Sequence, residues 1–284
     1  MSEARNGGAR RARRANRRSL ATAGLGASAA LLAVFLALPV LVLVGRAVVG
    51  GSLAGTIGSG AILDALDLSL VTTAVSLAVT VTIGTPLAFV LARRRFPGAG
   101  LVEVVVDLPL VLPPSVAGLA LLLVFGRRGL LGGTLDAFGI AVPFTTVAVI
   151  IAQVFVSAPL YVRSARAGLA GVARDLEDAA RVDGASEPGV FRHITAPLAG
   201  PALAAGLVLS WARSLGEFGA TILFAGNVAG RTQTLPLVVY GELQGGDLGT
   251  AIGAASVLVL AALGVLVAAR FAHAGRATAG AEIS

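Results

Sequence analysis

Six stretches of this 284-residue chain are apolar over about the 20 residues that a helix needs to cross the hydrocarbon core of a bilayer. They run approximately Leu20–Val44, Ser69–Ala92, Val102–Phe125, Pro143–Val162, Pro201–Phe224 and Thr250–Phe271. A backbone in lipid must satisfy its own N–H and C=O groups, so such runs fold as helices. The composition agrees: 56% of residues are hydrophobic and 13% charged, where a soluble domain carries about a quarter charged. The fold class expected is therefore all-α, a polytopic membrane protein of about six transmembrane helices.

The charges then orient the chain. All 22 basic residues are Arg, and the net charge is +7. Seven of them (Arg5, Arg10, Arg11, Arg13, Arg14, Arg17 and Arg18) crowd the tail of residues 1–19, ahead of a first helix within 20–49. That distribution indicates retention on the cytoplasmic side with help from anionic lipid, not nucleic-acid binding. The apolar run is longer than that of a signal peptide, so the first helix is expected to stay uncleaved. With the tail inside, Arg93–Gly100, Arg163–Leu198 and the tail 271–284 also lie inside. These inside segments, with Arg270 at the inner end of the last span, hold 17 of the 22 Arg, which places both termini in the cytoplasm.

Self-contained enzymology finds little support. Without Lys there is no GxxxxGK[ST] phosphate loop, no Schiff base and no Lys general base. Without Cys there is no thiolate metal site or thiol nucleophile. Only His193 and His273 supply imidazoles, and neither HExxH nor GxSxG occurs.

Two spans are irregular. Pro109, Pro113 and Pro114 should kink or break the third, as a kink that lines a pathway, as a packing kink, or because the helix starts later, at Pro113. In the fifth, Ser210, Arg213, Ser214, Glu217 and Thr221 fall at helical spacing on one stripe, with Arg213 and Glu217 an i,i+4 pair. Charge at that depth normally faces protein or water and is paired. The stripe reads as a polar strip along a conduit, where Arg213 attracts an anion and Glu217 orients it, or as a structural ion pair. Gly216 and Gly219 would admit a neighbouring helix. Gln153 and Ser157 of the fourth span are candidates for the same conduit. Outside, 226–249 is too polar to span. Its apolar piece Leu235–Tyr240 suits a re-entrant or surface helix, and Thr232, Gln233 and Thr234 suit solvated loop positions or contacts for a docking protein.

The segment Asp175–Pro197, DLEDAARVDGASEPGVFRHITAP, is a charged interruption between the fourth and fifth spans. Leu176, Ala179, Ala180 and Asp183 recur at three- and four-residue intervals, giving a small-residue face. Gly184 can turn the chain, and Pro188 suits the first turn of a second short helix.

This spacing resembles the cytoplasmic signature of the permeases of ATP-binding-cassette importers, EAA-x3-G-x9-I-x-LP. Asp178-Ala179-Ala180 is followed by Gly184, then Ala185 and Ser186, and by Ile194 and Pro197 at matching distance. Asp178 stands for Glu with Glu177 beside it, and Ala196 stands for Leu. LPLVLPPSVAGLALLLVFGRRGLLG (108–132), ARSLGEFGATILFAGN (212–227) and GRTQTLP (230–236) resemble the molybdate-type permeases and their sulfate and tungstate relatives. The resemblance covers residues 67–270 and implies the type I importer transmembrane domain, in the inner membrane of a bacterium. It implies two copies of the chain around one pathway, two ATP-binding subunits that hold ATP and Mg and seat the loop as a coupling helix, and an extracytoplasmic oxyanion-binding protein. No cofactor is expected in this chain. A sulfate, thiosulfate or tungstate carrier of the same architecture is the alternative. An ion-gradient-driven secondary transporter is more remote, since it would leave the loop spacing unexplained.

Overall fold

The computed structural model describes the backbone of residues 3–281 and the side chains of residues 25–268, so the side chains of the basic tail and of the C-terminal tail lie outside the described residues. Every regular element among the described residues is helical. The first helix, α1 (Glu3–Val49), runs through the expected tail boundary, and its apolar stretch is Leu25–Val49. It touches the rest of the molecule mainly near its end, where Ala47 is buried; almost all its other described side chains are exposed. A short α2 (Ser52–Ile57) leads into α3 (Gly60–Arg93).

The third span is broken rather than bent. Helix α4 (Ala99–Val111) and α5 (Pro114–Phe125) meet at 118°. Pro113 cannot donate a backbone hydrogen bond, and Leu112 is extended, so α5 starts afresh with Pro114 in its first turn. A short α6 (Gly132–Ala137) follows, then α7 (Thr146–Gly171), where the Thr145 hydroxyl accepts the N–H of Ala148 and caps the helix. The expected span Pro143–Val162 thus starts three residues later and runs nine further. Helix α4 is strapped to α7 by Arg166–Glu103 at 2.7 Å and Arg163–Asp107 at 3.6 Å.

After α7 come α8 (Arg174–Val182), α9 (Glu187–Val190), a π-helical turn (Phe191–Thr195) and α10 (Ala196–Leu215). The expected fifth span, Pro201–Phe224, ends early at Leu215. Residues 216–218 leave the helix, and α11 (Gly219–Phe224) packs instead on α5. A Cβ at Gly219 would sit 2.5 Å from the Cβ of Pro114, so the two short helices approach as closely as glycine allows. Gly216 has no such neighbour. The apolar piece 235–240 lies in α12 (Leu235–Gly245), buried against α3 and α13 (Leu248–Ala281).

Among the described residues, five helices are long and apolar enough to cross a membrane, and the α4–α5 pair makes a sixth if counted as one span. The centre is α7, packed on α3 and α10 around Ala88, Tyr161, Ala165, Leu169 and Ala199. A second cluster joins α5, α7 and α11 around Ala117, Val149, Ala152 and Phe224.

Candidate functional site: an exposed loop over a buried polar seam

The segment 174–197 stands at the end of the bundle that also carries Arg93–Arg95. Helix α8 is amphipathic in the reverse of the usual sense. Its outward row is Leu176, Ala179 and Val182, with Leu176 50% and Val182 87% exposed. Its single buried residue is Glu177. That carboxylate receives two hydrogen bonds on Oε1, from Arg93 Nη2 and from the Thr195 hydroxyl, each at 2.6 Å. Arg93 Nη1 donates to the Val172 carbonyl at 3.2 Å, and Arg174 Nη2 donates to the Arg93 carbonyl at 3.3 Å. The side chains of Arg93 and Glu177 are only 10% and 6% exposed.

The signature positions fall on the open side. Asp178, Ala179, Gly184, Ala185, Ser186 and Pro197 are exposed; Ala180 and Ile194 are half-buried. Gly184 ends α8 at φ +88°, the left-handed region that glycine enters without a Cβ penalty. The Gly184 N–H donates to the Arg181 carbonyl and the Ala185 N–H to that of Ala180, which closes a Schellman cap. Arg181 clips the turn shut by donating to Glu187 at 2.7 and 3.1 Å and to Asp178 at 2.7 Å. These carboxylates, Glu187 first, hold the Arg181 guanidinium above its already high range, so the clip keeps its charge.

Beneath the loop, the candidates of the fourth and fifth spans converge on α3. Ser214 donates to Ser157 at 2.9 Å and accepts from Ser76 at 3.2 Å, while Gln153 Nε2 donates to the Thr72 hydroxyl at 3.2 Å. Gln153, Ser157, Ser210 and Ser214 are all buried within this single chain, as are Thr72, Thr73, Ser76 and Thr80 of α3. Reading the sequence from charged residues passed over that α3 row. Its hydroxyls recur every three or four residues inside an apolar run, the available signal for a packed polar face.

Arg213 and Glu217 do pair, at 2.5 Å, but not as neighbours on one helix. Glu217 lies in the break after α10, 1% exposed, and its Oε1 accepts the N–H of Ala220 in the first turn of α11. Arg213 stays 34% exposed and is the open end of the pair. Thr232 and Thr234 are not solvated loop positions either: both are buried, and Thr232 Oγ1 accepts the Val228 N–H at 3.0 Å. Among the described residues, no three metal-ligating side chains converge.

A family profile described as binding-protein-dependent transport system inner membrane component matches residues 84–276. The molybdenum transport system permease protein ModB of Escherichia coli is 42% identical over 220 residues, covering 76% of this chain and 96% of that protein. The sulfate transport system permease protein CysT of Salmonella typhimurium is 41% identical over 180 residues, 63% of this chain and 65% of that one. Among solved structures, a bacterial ABC transporter involved in the import of the acidic polysaccharide alginate superposes with a TM-score of 0.71 at 19% identity, over 90% of this chain and 95% of that one. That similarity establishes a shared fold. The profile match over most of the chain, joined to the relatives' identity, establishes descent: the chain belongs to the family of binding-protein-dependent transport system inner membrane components.

Proposed function

We propose that this chain is the permease subunit of an ATP-driven importer that carries molybdate, or a similar tetrahedral oxyanion, into the cytoplasm of a bacterium. The observation that carries the coupling half of this reading is the reversed amphipathicity of α8. An apolar row of Leu176, Ala179 and Val182 turned to solvent is a face left for another chain, since exposed apolar surface of this kind marks interaction sites. The partner is a separate ATP-binding subunit, one for each of two copies of this chain, holding ATP and Mg. Small residues at Ala179 and Ala180 let the helix enter its groove. Closure of the two ATP-binding subunits draws the two loops together and turns the pathway outward, where a binding protein delivers the anion. After hydrolysis the pathway opens inward.

Within the pathway, Arg213 attracts the oxyanion and Glu217 holds its head in place, with Gln153, Ser157, Ser210 and Ser214 forming the polar seam along which helices shift. Both termini lie in the cytoplasm, following the excess of Arg on that side. The molybdenum relative, matched over nearly its whole length, supports the cargo. The sulfate relative keeps sulfate as the second reading.

Uptake of radioactive molybdate by cells lacking their own carrier, supplied with this chain and with an ATPase and a binding protein from the same organism, tests the assignment. Tungstate is expected to compete at least about tenfold better than sulfate, a difference of about 1.4 kcal/mol in binding. Sulfate competing as well as tungstate would transfer the cargo to the second reading.

A further inference from the structure

We propose that Arg93 and Glu177 are positioning residues for energy coupling: their ion pair carries the displacement of α8 into α3. This deepens the importer reading and rests on it. Helix α8 has nine residues and sits between two non-helical joints. Val172 and Ala173 are extended on one side, and Asp183–Ser186, with Gly184 at φ +88°, form the other. A helix this short, joined at both ends by non-helical residues, takes no direction from the continuation of a longer helix. Only Glu177 of its residues is buried, so the orientation of α8 against the bundle depends on what that carboxylate binds.

It binds two different helical elements at one oxygen. Thr195, at the end of the π turn, leads directly into α10, and α8 reaches it through the chain in any case. Arg93 is different. It is the last residue of α3, 84 residues away in sequence, so no covalent route of comparable length exists. Two further bonds lie beside this tie: Arg93 also holds the Val172 carbonyl at the first joint, and exposed Arg174 of α8 donates to the backbone carbonyl of Arg93 at 3.3 Å. Helix α3 is the element whose row Thr72, Thr73 and Ser76 meets Gln153 and Ser214. A push on the outward row of α8 therefore reaches the α3 side of the polar seam through Arg93. With that tie cut, α8 pivots on its joints and the push is absorbed in the loop.

A merely structural pair predicts otherwise, since an apolar pair of similar volume replaces a buried ion pair without loss of stability. The double variant Arg93→Met/Glu177→Leu separates the two roles. The complete complex, with its ATPase subunits and binding protein, is reconstituted in proteoliposomes, and molybdate imported per ATP hydrolysed is measured. The chain has no Cys, so a spin label attached to the isolated chain through Asp175→Cys, at an exposed position of α8, before the complex is assembled reports the motion of that helix. In Glu177→Gln and in the assembled double variant, import per ATP falls at least about fivefold and the label becomes mobile, while Arg93→Lys stays within about twofold of the parent. An assembled double variant with the parental ratio, or a label unchanged in Glu177→Gln, overturns the inference. A parent complex that hydrolyses ATP and imports no molybdate overturns the importer reading instead, and the label still reports on the tie.

Discussion

The loop 174–197 and the seam beneath it are both polar interruptions in an apolar chain, yet they are built from different chemistry. The loop is charged and largely exposed, and its first helix turns one buried carboxylate, Glu177, into the bundle. The seam holds no ionised group: Thr72, Thr73, Ser76, Gln153, Ser157 and Ser214 bond through hydroxyls and one amide. An ionised side chain at the bilayer centre costs about 2.5–3.5 kcal/mol on insertion scales, whereas a hydroxyl can return its proton to a carbonyl of its own helix. Ser69 and Thr72 do this, donating to Ala65 and Leu68 at 2.8 and 2.7 Å. Neutral contacts of this kind are weak singly and can be exchanged as helices move. Charged contacts suit the loop, where water screens them and direction has to be kept. The loop is thus held by a few charged bonds of fixed direction, and the interior by many exchangeable ones.

The loop is most vulnerable at Gly184. Proline cannot adopt φ +88°, and it would delete the N–H that Gly184 donates to Arg181. Gly184→Pro is expected to reduce uptake to below about a tenth of the parent while the protein still inserts, because a misplaced Pro costs about 3 kcal/mol locally and leaves the bundle intact. Gly184→Asn, which tolerates the left-handed region, should retain most uptake. Parental uptake in the Pro variant would show that the loop's turn does not matter to transport.

The seam responds more mildly. Ser214→Ala removes the hydroxyl shared by Ser76 and Ser157 but leaves Ser76 its bond to the Thr73 carbonyl at 2.9 Å. Interhelical side-chain bonds in membranes average about 0.6 kcal/mol and reach about 1.7, so the purified protein should melt only a few degrees lower. Uptake should fall less than in Gly184→Pro. A higher melting temperature would mean that the hydroxyls are under strain rather than zipped.

How far these regions could be read in advance depended on the range of the interactions that define them. Helices α3, α10 and α13 follow from apolar runs, a local property, and the break at Pro113–Pro114 follows from a missing donor. The 118° angle does not, because it is set by the packing of α5 on α11. The end of α10 at Leu215 was hidden by apolar residues continuing to Phe224. There the carboxylate of Glu217 caps a new helix, a role its i,i+4 spacing from Arg213 disguised. In the loop, the small residues and Gly184 were legible because they obey helix and turn rules. Glu177 was not, since its partners lie 18 and 84 residues away, and a carboxylate beside Leu176 is ordinarily the residue that faces water.

The smallest effect is expected at the carboxylate next to it. Asp178 is exposed and bonds only to Arg181 among the described residues, at 2.7 Å and within the same helix. Exposed pairs of this kind contribute between about 0 and 1 kcal/mol, and Arg181 keeps a second partner in Glu187. Asp178→Glu restores the longer side chain of the signature without touching the tie to α3, so uptake should change by less than about twofold, the change that half a kcal/mol produces. Measured beside Glu177→Gln, it divides two adjacent carboxylates by direction: the exposed one tolerates a longer arm, and the one turned into the bundle does not tolerate the loss of its charge. A loss of uptake in Asp178→Glu as large as in Glu177→Gln would erase that division and place the critical contact on the outer face of α8.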